Sequence, residues 1–371
     1  MVTSLASSTQ TISVNVGPQH PSTHGVMHLI VELSGEEVCS VRPVVGYLHR
    51  GIEKLAEGRT YAQCQVLVDR MDYVSGFCTE LAYCRAVETL AGIEVPERAE
   101  YLRTLLAELQ RLASHFVWFG SYGLDLGAWT PFIYCFIERE MLLDLFEELC
   151  GSRMMPNFLR FGGVREEVPG GWLERVRSFA ADHMPRAIDT YEALLTRNEI
   201  FRSRTVGLSA IGQDLALSWG LTGPMLRATG CARDLRKDAP YAAYDRIEWE
   251  VHTGASGDCY DRYLVRVAEM RESCRMAVRL IDAMPEGEVR NKVPRNLKPP
   301  EGEVYVRTET PRGELGVLIV SDGTATPYRL HFRSPALVNI STLPRMAVGH
   351  KLADLIAIAG SIDLVMGEID R

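Results

Sequence analysis

The stretch "PERAEYLRTLLAELQRLASHF", residues 96–116, carries apolar side chains at intervals of three and four residues. This is the period of an α-helix that buries one face, and a proline is favourable at a helix start, where an N–H has no partner. The apolar positions are Leu102, Leu105, Leu106, Leu109, Leu112, Ala113 and Phe116. The stretch therefore predicts a core helix and, with it, a fold built around packed helices.

Segments on both sides of this helix predict the other elements. Helices are expected at residues 52–92 (two helices or one bent helix), from Pro131 to Gly151, and at 171–196, 261–284 and about 347–359. Strands are expected at residues 11–16, 28–34, 37–44, 303–309, 314–322 and 327–334. Strands and helices do not alternate along the chain, so we expect an α+β fold: a central helical bundle with small antiparallel sheets from the N- and C-terminal regions.

The chain is long enough for one large core. We expect residues 1–371 to form a single domain. Its parts are an N-terminal β region at 1–50, a helical core at 51–290, and a C-terminal β region with the last helix at 301–371. A proline-rich link, residues 292–302, joins the last two parts.

Composition excludes several classes of function. The net charge of −8 argues against nucleic-acid binding. No signal peptide is visible, so we expect a cytoplasmic chain whose nine cysteines are thiols. No two cysteines are three residues apart, and no GxGxxG follows a strand. The chain is therefore expected to bind neither a metal nor a dinucleotide by itself.

Polar residues in two unusual settings are candidates for chemistry. The loop "VGPQHPSTHG", residues 16–25, presents His20 and His24 between prolines and glycines. Asp125 lies in the otherwise apolar run 115–138, which glycines and Pro131 make unsuitable as a membrane span. A desolvated carboxylate next to a histidine could hold a proton near neutral pH. Spacing alone favours a structural role for Asp125, such as capping a helix or bonding backbone.

Several motifs together resemble one family. They are "VGPQHPSTHG", "GYLHRGIEKLAEGRTY", "RMDY", "FIERE", "RFGGV", "LTGPMLRATG", "DCYDRYLVRVAEMRES", "GEVYVRTETPRGELG" and "GSIDLVMGEIDR". In this order they are similar to the hydrogenase-like large subunit of respiratory complex I, NADH-quinone oxidoreductase, from about residue 11 to Arg371. The resemblance implies the fold of the nickel-iron hydrogenase large subunit.

Hydrogenases of this kind hold nickel and iron with two CxxC pairs. The corresponding positions here are Asp72 and Ser75 in "RMDYVS", and Val365 and Glu368 in "DLVMGE". Soft thiolates are what such a metal site requires. The hydrogenase alternative is therefore opposed by the residues themselves, and the metal content of the chain alone is expected to be nil.

In the quinone-reducing family the vacated cavity becomes part of the quinone site. The resemblance implies that His24 and Tyr73 hydrogen-bond the quinone carbonyls and that Asp125 pairs with His24. His20 is at least as readily explained as a loop histidine bonded to backbone. A quinone that takes two electrons needs two protons, and donors at its oxygens can supply them.

The electrons are implied to come from a [4Fe–4S] cluster in a neighbouring subunit. By family analogy Arg50 and Arg70 lie near that cluster, where cations raise its reduction potential. Many relatives carry histidine at the position of Met155, and they also have a longer segment before Gly302. Methionine cannot titrate, so we expect a low-potential cluster and a low-potential quinone such as menaquinone.

The implied partners are the iron–sulfur subunit with the terminal cluster, an adjacent hydrophilic subunit and a membrane arm. The complex would be a proton-pumping NADH:quinone oxidoreductase on the cytoplasmic face of the cell membrane, with this chain peripheral. NADH, a reduced deazaflavin and ferredoxin all remain open as electron donors, and a phenazine as an acceptor. A scaffold that binds no small molecule is the remaining alternative.

Overall fold

The computed structural model describes residues 11–19 and 25–371. The predicted loop histidines His20 and His24 lie outside the described residues. In the described part, no helix has both the length and the apolar character needed to cross a membrane.

Helices make up about half of the described chain. They are α1 (Ile52–Ala56), α2 (Tyr61–Val68), α3 (Gly76–Ala91), α4 (Glu97–Asp125), α5 (Trp129–Cys150), α6 (Trp172–Ser178), α7 (Met184–Tyr191), α8 (Glu199–Thr205), α9 (Gln213–Ser218), α10 (Gly223–Arg227), α11 (Leu235–Asp238), α12 (Cys259–Ala283), α13 (Pro335–Ser341), α14 (Leu343–Ala347), α15 (Leu352–Ile362) and α16 (Met366–Asp370). Two π-helical turns, Phe179–His183 and Glu192–Thr196, follow α6 and α7.

Small antiparallel sheets flank the helices, as the sequence predicts. The strands are β1 (Thr11–Val16), β2 (His28–Ser34), β3 (Glu37–Val44), β4 (Leu159–Arg160), β5 (Gly163–Val164), β6 (Gly302–Thr310), β7 (Gly313–Ser321) and β8 (Arg329–Arg333). The sheets have the orders β1-β2-β3, β4-β5 and β6-β7-β8. The α+β prediction is confirmed, and the two three-stranded sheets come from the expected ends of the chain.

The central helix α4 is longer and more buried than its apolar face predicts. It runs to Asp125, and its polar side is also covered, because Arg103, Glu108 and Arg111 are fully buried. Arg103 donates to both carboxylate oxygens of Glu88, at 3.0 and 2.6 Å. Buried charges survive only when they are paired in this way. Helices α3, α5, α12 and α15 all pack against α4.

Three helical regions differ from the sequence prediction. Residues 52–92 form three helices, because Thr60 starts α2 with a reciprocal capping box and a turn at 69–75 precedes α3. The last long helix is α15 rather than 347–359, since extended Val348 and left-handed Gly349 end α14. The predicted helix at 171–196 contains the two π-helical turns. The short helices between 199 and 238 show no apolar period that spacing could detect.

Candidate functional site

The "RMDY" motif forms the turn between α2 and α3. Asp72 in this turn is fully buried, and its carboxylate accepts a 2.6 Å hydrogen bond from Nη1 of Arg312. Arg312 lies in the tight connection between β6 and β7. Its Nη2 donates to Ser114 Oγ of α4 at 3.1 Å and lies 3.5 Å from Asp363. One guanidinium therefore fastens the turn to the C-terminal sheet, to α4 and to the end of α15.

Tyr73 follows Asp72 and is only partly buried. A Cβ placed on Gly25 would lie 3.9 Å from its hydroxyl oxygen, and one on Gly367 would lie 3.1 Å from its Cε1. Burial, and then the charge of Asp72, raise the pKa of Tyr73 above its ordinary value. The phenol thus keeps its proton at neutral pH and can donate a hydrogen bond next to the segment that follows His24.

Asp125 is the last residue of α4 and is partly buried. A Cβ on Gly360 of α15 would lie 2.7 Å from Asp125 Oδ2, so the carboxylate rests directly on that helix. An acidic residue at a helix C-terminus is unfavourable for the helix dipole. The start of α5 has Ala128 as its cap and no side-chain cap bond. The cap residue of α5 is therefore Ala128 and not Asp125, and the functional role of Asp125 stays a prediction. Its predicted pairing with His24 falls outside the described residues.

The C-terminal motif "DLVMGEIDR" packs against the "RMDY" turn. A Cβ on Gly367 would come within 2.8 Å of the Met71 carbonyl oxygen, so the two backbones are in contact. Glu368 is fully buried in α16, and burial followed by the charge of Asp72 raises its pKa to about 8. The two segments that would carry the CxxC pairs of a hydrogenase thus lie side by side.

These residues do not fit a nickel–iron centre. Asp72, Ser75, Val365 and Glu368 offer no thiolate, which is the ligand such a centre needs. The nine cysteines are free thiols elsewhere in the fold. Among residues 11–19 and 25–371, no cluster of histidine, cysteine and carboxylate side chains is arranged to hold a metal ion.

The residues predicted to face the partner's cluster lie near one another. Arg50 and Arg70 are exposed, and each charge acts on the other. Arg50 donates to the Gly367 carbonyl at 3.3 Å, while Asp370 accepts hydrogen bonds from the backbone that precedes Arg50. The Met155 loop is tied to the same region, because Asp69 accepts from the backbone N–H of Asn157 at 3.2 Å.

Sequence reasoning missed Arg312 and any role for Asp363 and Glu368 as a group with Asp72. Arginine at a hairpin turn is ordinarily a surface residue, so nothing in the sequence around Arg312 indicated that its side chain is buried. The two acids could have been found, because they stand in the mostly apolar terminal stretch "GSIDLVMGEIDR". The same criterion, a carboxylate in an apolar run, singles out Asp125.

The fold and the site define a protein of the hydrogenase large-subunit class in which the thiolates are replaced. Accordingly, residues 50–129 match the family model described as nickel-dependent hydrogenase. Residues 125–297 and 291–371 match the model of the respiratory-chain NADH dehydrogenase, 49 kDa subunit.

Curated relatives match over nearly the whole chain. NADH-quinone oxidoreductase subunits from Desulforamulus reducens and Carboxydothermus hydrogenoformans are 49% and 50% identical to it, over 98% of this chain and 99% of each relative. The corresponding protein from Dehalococcoides mccartyi is 50% identical over 99% of this chain and 100% of its own length. The chain belongs to the family of the 49 kDa subunit of respiratory-chain NADH dehydrogenase.

Proposed function

We propose that this chain forms the quinone-reducing site of a membrane-associated NADH:quinone oxidoreductase. As a member of its family, the chain is a subunit of an oxidoreductase of the NADH dehydrogenase class. The observation that carries the proposal is the Tyr73 hydroxyl, which remains protonated and lies beside the segment after His24. Tyr73 follows Asp72, which stands at one of the positions that correspond to the cysteines of a hydrogenase.

In this proposal the Tyr73 hydroxyl donates a hydrogen bond to one quinone carbonyl, and His24 donates a hydrogen bond to the other. Protonated donors are needed there because the reduced oxygens each gain a proton. Asp125 pairs with His24, and the pair holds a proton. Burial of the phenol favours its neutral form, so Tyr73 is poised to give a hydrogen bond rather than to compete as an anion.

A partner subunit would hold the [4Fe–4S] cluster against the face that carries Arg50, Arg70 and Met155. Large apolar side chains are exposed next to these residues in the chain, which is typical of a surface that another protein covers. They are Val45, Tyr47, Leu55, Val66 and Met154. The two arginines would raise the cluster's potential, since cations stabilise its reduced form.

The rest of the assembly follows from the family. We propose an iron–sulfur subunit, an adjacent hydrophilic subunit and a membrane arm as partners, proton translocation by the whole complex, and a peripheral position at the cytoplasmic face of the cell membrane. NADH is the donor in the names of the relatives. A deazaflavin or ferredoxin input module is the second candidate, and the identity of the co-purifying subunits separates these cases.

A photoreactive quinone analogue tests the site directly. Irradiated with the assembled complex, it is expected to label peptides containing "RMDY" or "PSTHG", and excess quinone should protect them. A scaffold without a quinone site predicts no protectable label on this chain. Protected labelling confined to other subunits would contradict the proposal.

Replacing Met155 by histidine is expected to make the potential of the partner's cluster depend on pH. An imidazole near the cluster would gain a proton on reduction, giving up to about 59 mV per pH unit between about pH 6 and 8. In the wild type the potential of the cluster should change little with pH, because a thioether does not titrate. The measurement is a redox titration followed by electron paramagnetic resonance at several pH values.

Asp69 provides the internal control for that titration. Its carboxyl holds the Met155 loop, and burial raises its pKa to about 6 although Glu80 hydrogen-bonds to it and lowers the value. A steep slope already present in the wild type, and lost in Asp69→Asn, would assign the pH response to this carboxyl. That result would contradict the role given to Met155.

Alanine at Gly360 is expected to displace Asp125 without changing its charge. The new Cβ would lie 2.7 Å from Asp125 Oδ2 and 2.9 Å from Tyr122 Cδ2, so the carboxylate must move. Alanine suits a helix, so the complex should assemble. Quinone reduction should fall by about tenfold, since small misplacements of a proton-holding group are costly. Gly212→Ala, where a Cβ meets nothing within 4 Å, is the matched control. Wild-type kcat and KM in Gly360→Ala would argue against a role for Asp125.

A further inference from the structure

Glu368 is a carboxyl group enclosed in the core without a counter-ion of its own. Its side chain is fully buried, and neither carboxyl oxygen has a well-formed hydrogen bond to any of the described residues. The backbone of Ala336 approaches it, but this contact lowers its pKa by less than Asp72 raises it. An ionised carboxylate in such a position would be very costly.

The charges around Glu368 can be counted. Asp72 comes from the turn before α3, Asp363 from the end of α15, and Arg312 from the β6–β7 turn bridges them. A second guanidinium, Arg266 of α12, also acts on Asp363. Helix α13 contributes the backbone of Ala336. Two cations thus face three carboxyls, and Asp72 and Asp363 are the ones next to the guanidinium groups. Burial also raises the pKa of Asp72, but Asp72 has a 2.6 Å ion pair with Arg312 that Glu368 lacks among the described residues, so we assign the proton to Glu368.

Glu368 is linked to the phenol proposed as the quinone donor through its chain neighbour Gly367 and through Arg312, on which both groups act. Its neighbour Gly367 is pressed between the Tyr73 ring and the Met71 carbonyl, with Cβ distances of 3.1 and 2.8 Å. Asp72, whose charge acts on Glu368, is the residue before Tyr73. Asp72 and Arg312 each act on both Glu368 and Tyr73, so these four groups form one set of interacting titratable side chains.

We propose that Glu368 is the internal proton reserve of the site and returns a proton to Tyr73 after the phenol has protonated a quinone oxygen. This rests on the proposed function. The partner's cluster passes two electrons to the quinone one at a time, and the quinone gains two protons, one by cleavage of the Tyr73 O–H bond and the other from His24. The resulting phenolate takes the proton of the Glu368 carboxyl, leaving a carboxylate that solvent reprotonates before the next turnover.

The acidities make this transfer downhill. Burial and Asp72 raise the pKa of Glu368 to about 8. The pKa of Tyr73 is raised above its ordinary value, which already exceeds that of Glu368. A phenolate in this cluster is thus a stronger base than the Glu368 carboxylate. Glu368 should be protonated at neutral pH. It should lose its proton as the pH rises through its pKa in the folded protein, because a group is protonated below its pKa.

The test uses the assembled complex with Glu368→Gln, an uncharged residue of the same shape. It should assemble normally, because the wild-type carboxyl is neutral too. Wild-type quinone reduction is expected to decline as pH passes about 8, whereas the variant should be slower by about tenfold and lack this limb. Glu100→Gln, at a partly buried carboxyl whose Oε2 lacks a partner in the described chain, is the matched control.

Infrared difference spectra, reduced minus oxidised, provide a readout independent of turnover. The wild type should show a carbonyl band of a protonated carboxylic acid that is missing in Glu368→Gln and present in Glu100→Gln. If Glu368→Gln does not assemble, Glu368→Asp should retain both the band and a shifted pH limb. If Glu368→Gln keeps the wild-type pH profile and the carboxylic acid band, the proposal that Glu368 supplies this proton is wrong. If quinone reduction is impaired in Tyr73→Phe at the same time, the quinone site itself stands; full activity in Tyr73→Phe, His24→Ala and Asp125→Asn would instead refute the site.

Discussion

Tyr73→Phe is expected to slow quinone reduction by about ten- to hundredfold in the assembled complex. The substitution removes one hydroxyl and leaves a buried carbonyl of the bound quinone without a donor, which costs about 1–3 kcal/mol. The ring itself remains, so its packing against Gly367 is preserved. Activity with quinone and with an artificial acceptor that takes electrons upstream of the site should be measured side by side, and only the former should fall.

Further variants test the same site. His24→Ala should act in the same direction, and Asp125→Asn should slow turnover by disturbing the proton on His24. Tyr328→Phe, at a phenol that is 68% exposed, should change neither activity. Full quinone reduction in all three site variants would show that the site assignment is wrong.

Arg312→Met is expected to have the largest effect on stability. The guanidinium is fully buried and holds Asp72 at 2.6 Å and Asp363 at 3.5 Å. Removing it leaves two carboxylates without this partner in the core, and breaking a buried ion pair from one side typically costs about 3–5 kcal/mol. Less chain should be recovered in the assembled complex, and the complex should lose its structure at a lower temperature.

The control is a surface arginine with as many acidic neighbours. Arg153 lies near Glu140, Asp144 and Glu147, but its side chain is 39% exposed. Arg153→Met should therefore change recovery and thermal stability far less, because solvent screens exposed pairs. Equal losses in the two variants would mean that Arg312 does not hold the site together.

Strand positions were predicted well because their signal is local. The first three strands match residues 11–16, 28–34 and 37–44 to the residue, since alternation and turn residues mark both ends. Helix boundaries were harder. The ends of α14 and α15 depend on Val348 and Gly349, whose conformations follow from how the chain turns back onto β3.

The candidate residues were found in a similar way, from local chemistry and from family motifs. Asp125 stands out as a carboxylate in an apolar run, whereas the role of Tyr73 came from the family resemblance. The structure places Tyr73 and Asp125 at partly buried positions against α16 and α15. Arg312 could not be found from its neighbours in the chain. It is 240 residues from Asp72, to which it binds.

Local sequence patterns were enough to determine that this chain is an α+β protein with a helical core, and that it lacks the thiolates of a metal centre. These properties depend on residue type and on spacing over a few turns. The tertiary structure alone decided which charges are buried and which buried groups have shifted pKa values. The ionisation of Glu368 depends on desolvation and on Asp72, Asp363 and Arg312, which reach it from separate segments. Coulomb interactions act through space, so only the folded chain can set them.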